Sequence, residues 1–195
     1  MRKLLKNRMA LSTVVTTLII LVVSILLAGV VTYFAINVVS TSVQQESLNL
    51  QYQHVWFSTT DNRAEVAIMV TNTGGRDVVF QNIAIRAQSV PTADIFYFVP
   101  TNITDLPYVS QVPNALNSST PIPSALGTGD FKNVTGPITL ASGDTIAIYV
   151  AANPGATPPF SPGSVTVNDV GLTISISVFT AQATYIKETN VNSAP

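Results

Sequence analysis

The chain has no cysteine, a single histidine and few charges, with charged residues filling 10% of its 195 positions. Without a thiol there is no disulfide, no thiolate metal site and no cysteine nucleophile. The one histidine, His54, stands beside Val55, Trp56 and Phe57, a setting that assigns it a structural role rather than that of a base or ligand. Its aspartates, Asp61, Asp77, Asp94, Asp105, Asp130, Asp144 and Asp169, are scattered near turn residues, and none falls into a calcium-loop spacing. There is no G-x-S-x-G segment and no phosphate-cradling glycine loop. This inventory argues against an enzyme and offers no cofactor and no metal-ligand set. Acidic residues are missing altogether before Glu46, whereas four of the nine basic residues (Arg2, Lys3, Lys6 and Arg8) lie in the first eight positions. Everything after Ala10 carries five basic and ten acidic residues, a net charge of −5. Nucleic-acid binding, which needs clustered cations to displace phosphate counterions, is therefore disfavoured.

From Met9 to Gln45 no side chain is charged. That run is nearly twice the ~20 residues a helix needs to cross a bilayer core. The basic flank holds the N-terminus in the cytoplasm and sends the remainder outward. A conventional secretory peptide has a short apolar core of about 7–15 residues ending at a small-residue cleavage site, and this run is too long for one.

The order of features at its start is informative. Lys6-Asn7-Arg8-Met9-Ala10 passes directly into Leu11-Ser12-Thr13-Val14-Val15, so a cleavable-looking junction precedes the apolar run instead of following it. Through Arg8, Ala10, Leu11, Ser12, Val14 and Val15 the sequence resembles the archaeal type IV pilins, in which a membrane peptidase trims a short basic leader and leaves the apolar helix on the mature protein. The resemblance covers residues 6–40, and it implies recognition of Lys6, Arg8, Ala10 and Leu11 by that peptidase. Met9 departs from the pattern. Val15 stands at the fifth mature position, where bacterial pilins carry a glutamate, as archaeal members commonly lack it. Ser12, Thr13, Thr16 and Thr17 replace the glycine-containing segment typical of archaellins, which favours an adhesive pilin over a motility subunit.

A plain membrane anchor needs only hydrophobicity, yet this helix carries Ser24, Ala28, Gly29 and Thr32 at spacings that place small residues on one stripe. The spacing fits close packing against copies of the same helix. Val39, Val43, Leu48 and Leu50 continue an apolar stripe, so the sequence predicts a helix over residues 11–50.

Past Gln53 the period becomes alternating. Val66, Ile68 and Val70 share one face of a half-buried strand, "TNTGG" follows as a tight connection, and 78–85 resumes the pattern. Further strands are expected at 53–57, 95–99, 145–151, 165–168, 172–179 and 184–191. Short strands with Gly and Pro turns predict an all-β head over 51–195, an immunoglobulin-like antiparallel β-sandwich. Residues 100–137 are proline-rich and read as a long irregular surface excursion. Asn102, Asn117 and Asn133 head the chain's N-x-S/T sequons, all inside that excursion, and are candidates for N-glycans once exported.

These residues together predict three parts: a basic leader (1–10) that is cut off, an apolar helix (11–50) that serves first in the membrane and then in a filament core, and an extracellular head. The implied partners are copies of the chain, a prepilin peptidase with its membrane assembly machinery, and N-glycans. Two other readings fit the same residues: a signal-anchored monomeric binding module of the cell envelope, and an archaellin. Cleavage after Ala10 gives the first test. N-terminal sequencing of surface-isolated protein is expected to start at Leu11, and Arg8→Glu is expected to block processing; retention of Met1 or Arg2 favours the uncut anchor.

Overall fold

The computed structural model describes residues 2–43, 45–60, 62–109, 116, 118–151 and 164–194, with side chains of the helix described from 11 to 41. Two compact units divide at residue 44. The first is a single helix, α1 (Arg2–Val43). It ends well short of Leu50, because Leu48 already belongs to a strand. The apolar positions Leu48 and Leu50 that suggested a helical stripe are the inward residues of that strand.

The second unit, the head, is all-β, with β1 (Leu48–Ser58), β2 (Arg63–Asn72), β3 (Val78–Ile85), β4 (Gln88–Ser89), β5 (Ile95–Phe98), β6 (Lys132–Asn133), β7 (Ile138–Leu140), β8 (Thr145–Ala151), β9 (Thr173–Thr180) and β10 (Thr184–Ser193). They form one curled sheet in the order β4-β3-β9-β10-β1-β2-β8-β5-β6, with β7 beside β3. The sheet is mixed rather than wholly antiparallel, since β1 and β10 run parallel where Val55, Trp56 and Phe57 meet Val191, Asn192 and Ser193. The expected strand at 165–168 is absent. Its place is taken by a 3-10 turn, Val167–Asp169, which a Thr166–Asp169 capping box holds.

Curling brings Leu50, Val55, Phe57, Val66, Ile68, Ile148 and Val150 of one part of the sheet against Phe80, Ile85, Ile176 and Val178 of the other. In β1 this requires a change of phase, because Leu48 and Leu50 are even-numbered whereas Val55 and Phe57 are odd. A β-bulge between Gln51 and His54 supplies the extra residue, with Tyr52 at φ 50°. Omitting that residue would turn one of the two apolar sets to solvent.

The excursion at 100–137 differs most from expectation. Its described residues lie over the opposite face of β2, β5 and β8 and build a second core, in which Leu106, Leu116, Leu126 and Phe131 pack with Met69, Phe98 and Tyr149. Phe131 meets Tyr149 edge-on at 5.2 Å and Phe98 at 5.0 Å. Central strand β2 is thus buried on both faces, not half-buried. Polar groups pin the cover: the Tyr149 hydroxyl donates to the Pro107 carbonyl at 3.0 Å, and the Val109 N–H donates to buried Glu65 at 2.9 Å. Burial, with the Glu65 and Asp105 charges nearby, pushes the Tyr149 phenol well above its ordinary range. Phe131→Ala is expected to cost the head about 3–5 kcal/mol in denaturant unfolding, whereas a loop that only skirted the surface would lose under about 0.5 kcal/mol.

Candidate functional site

The apolar span Leu11–Thr41 holds an 18-residue window with a mean hydropathy of 3.0, none of it buried. At 1.5 Å per residue its 31 residues reach about 46 Å, past the ~30 Å of a bilayer core. Several of its hydroxyls bond within the helix: Ser24 donates to the Ile20 carbonyl at 2.7 Å, Thr32 to the Ala28 carbonyl at 2.8 Å, and Thr16 to the Ser12 carbonyl at 2.9 Å. Such back-bonding lets a hydroxyl sit against apolar matter without a water partner. The continuous helix sets Ser24, Ala28 and Thr32 one above another, with Gly29 alongside. A Cβ added at Gly29 would meet nothing within 4 Å. Of the leader residues, Lys6, Arg8 and Ala10 fall in the helical backbone, and Leu11 is exposed.

The sequons are not equivalent. Asn102 is exposed and donates from Nδ2 to the Ala125 carbonyl at 3.3 Å. Asn133 is half-buried in β6, and its Nδ2 donates to the Ala93 carbonyl at 2.9 Å. A sugar on Nδ2 removes one of its two hydrogens, so Asn102 has the more accessible amide. Asn117 lies outside the described residues.

His54, within β1, joins the cover to the sheet. Its Nε2 lies 2.6 Å from Asp105 Oδ1, and its ring stacks on Trp56 at 5.0 Å. Among the described residues no group of three or more His, Cys, Asp or Glu side chains could hold a metal ion.

One polar cluster escaped the sequence reading. Arg86 and Ala87, between β3 and β4, both have positive φ (51° and 62°), the backbone of a type I′ turn that ordinarily takes Asn-Gly. Arg86 Nη2 donates to Asp169 Oδ1 at 2.7 Å, and the Thr166 N–H and hydroxyl donate to Asp169 Oδ2 at 2.8 and 3.0 Å. A T-x-x-D spacing at 166–169 was the available signal.

No protein-family model matches the chain, and no curated protein matches it in sequence. The single long apolar helix at the N-terminus fits a pilin-like signal or anchor helix, and the unit that follows it is all-β.

Chiefly through the Arg86 hydrogen bond and then those from Thr166, the Asp169 carboxyl is held at about 2, below its ordinary value. A depressed carboxylate contributes stability that is complete above the unfolded-state value of ~3.9 and disappears as pH falls through the folded one. Asp169→Asn is therefore expected to lower the head's Tm at neutral pH. Between pH 4 and pH 2 the gap from wild type should close; a gap independent of pH would show that the charge contributes nothing.

Proposed function

We propose that this chain is a structural subunit of an extracellular type IV pilus-like filament, polymerising through its N-terminal helix and carrying its head outward for adhesion or surface contact. The observation that supports this reading is the helix itself: 31 residues, charge-free, exposed throughout and longer than a bilayer core requires. Lipid accepts such a helix before assembly. In a filament, neighbouring copies take the place of lipid, and the small stripe at Ser24, Ala28, Gly29 and Thr32 lets backbones approach. The basic leader is the part a prepilin peptidase would remove, with the N-terminus inside, and the mature chain then leaves the cytoplasmic membrane for the cell surface. The curled head is read as an immunoglobulin-like sandwich, with glycans on Asn102, Asn117 and Asn133 covering a surface poor in charge.

The rival is a signal-anchored monomeric binding module of the envelope, favoured by the internal bonding of Ser24 and Thr32, which is also what a lone helix in lipid needs. Ala28→Leu with Gly29→Leu separates the two. Both substitutions keep the helix apolar, and Gly29 has open space around it, so export, processing and membrane insertion should persist. Fibres recovered by shearing are expected to fall at least tenfold, with protein accumulating in the membrane fraction. Fibres at wild-type abundance would remove the stripe from the account, and wild-type protein that never enters fibres would make the anchored module the better reading.

A further inference from the structure

Tail and head are one chain, so any pull between whatever holds the tail and whatever the head touches must enter the head at Gln45, three residues before β1 begins at Leu48. That entry is fastened to two separate turns. On the turn between β2 and β3, the Thr73 and Gly74 N–H groups donate to the Ser47 carbonyl at 2.9 and 3.0 Å, and the Ser47 and Thr73 hydroxyls lie 3.0 Å apart. At the turn between β9 and β10, the Thr180 hydroxyl donates to the Glu46 carboxylate.

The first of these turns fits closely around the incoming chain. A Cβ added at Gly74 would lie 2.7 Å from both the Gln45 carbonyl oxygen and the Ser47 nitrogen. Gly74 does not have a positive φ, so glycine is needed there for close approach and not for a left-handed backbone. Behind it, Asn72 is 1% exposed and fully bonded. Its Nδ2 donates to the Arg76 and Leu140 carbonyls at 2.8 and 3.1 Å, and its Oδ1 accepts from the Gly74 N–H at 3.0 Å. Its own N–H donates to the Asp144 carbonyl and its carbonyl accepts from the Gly143 N–H, each at 2.9 Å, while the Ser142 hydroxyl donates to the Gly74 carbonyl at 2.6 Å. The turn that grips Ser47 is thereby tied to the 140–144 segment, and a buried amide with all its partners made resists displacement.

The strand that follows is placed to receive a pull along its length. β1 lies inside the sheet, between β2 and β10, and its first residue, Leu48, is opposite Asn72. It runs parallel to β10, so the tail enters at one end of this pair and the chain's C-terminus leaves at the other. Tension between those ends slides β1 lengthwise. All its ladder bonds are then strained together, and Val55, Trp56 and Phe57 would have to be dragged out of both cores. A strand peeled from a sheet edge would instead lose its bonds one at a time.

We propose that the Asn72–Gly74 turn is a mechanical clamp on the tail's entry, which keeps tension arriving through the tail from peeling β1 and makes it shear the strand. The filament reading supplies the source of that tension. In full chains held in detergent micelles and pulled by tweezers through cysteines introduced at Ser40 and Pro195, the clamp carries the load. Cysteines at Ile103 and Leu172, both exposed, load the head without passing through it. No native thiol competes for the handles. Forced unfolding is read as a rate. Gly74→Val is expected to raise that rate at fixed tension at least tenfold through the 40/195 handles and less than threefold through 103/172. Thr73→Val keeps the side chain's shape and removes only its hydroxyl, so it serves should Gly74→Val fail to fold; about threefold is expected through 40/195 and no change through 103/172. Equal acceleration through both handle pairs would reduce the turn to a general stabiliser, and no acceleration through 40/195 would leave it unloaded; either result overturns the clamp. Because single chains are pulled, the result is independent of fibres: wild-type protein that never forms them sinks the filament reading and leaves the clamp to an anchored module.

Discussion

An uncharged helix that nothing in its own chain buries is the constraint on which the rest depends. Between Leu11 and Val39, nineteen large apolar side chains are exposed. Leaving each in water costs about 1.5–3 kcal/mol, which sums to tens of kcal/mol against the ~5–15 kcal/mol that holds a domain folded. The head cannot compensate for such a cost in free solution. On the reading proposed above, the helix exchanges one apolar surrounding for another, first lipid and then copies of itself.

The head is built without disulfides and with few charges, so it relies on apolar burial from both sides of its central strands. Curling supplies one core and the 100–137 cover supplies the other, with Glu65, Tyr149 and the His54–Asp105 contact tying the cover down. Polar groups elsewhere fix turns. Asp169 serves a capping box and Arg86 together, and Thr180 donates to Glu46 near the start of the head.

Strands whose alternation is unbroken were legible in the sequence. Residues 145–151 match β8 end to end, and β3 occupies the expected 78–85. The start of β1 was not, because Leu48 and Leu50 prolong a helical stripe from Val39 and Val43, and only the bulge at Tyr52 reconciles them with Val55 and Phe57 as one strand. Burial of β2 on both faces was signalled by Ala67 and Met69 between Val66, Ile68 and Val70, although alternation alone suggested a solvated face. The second core was hidden for another reason. Leu106, Leu116, Leu126 and Phe131 follow no period, and their proline-rich surroundings look like any exposed loop. In the tail, residue types and spacing carry the stripe at Ser24, Ala28, Gly29 and Thr32, but a single chain does not contain the partner that would cover it.

Electron cryo-microscopy of sheared surface material, with mass spectrometry of the protein in it, tests the central claim most directly. The account predicts lipid-free fibres containing this chain, with helices beginning at Leu11 bundled along the axis and β heads outside. Finding the chain only as a monomer in lipid-containing membranes, with its basic leader intact, would contradict it.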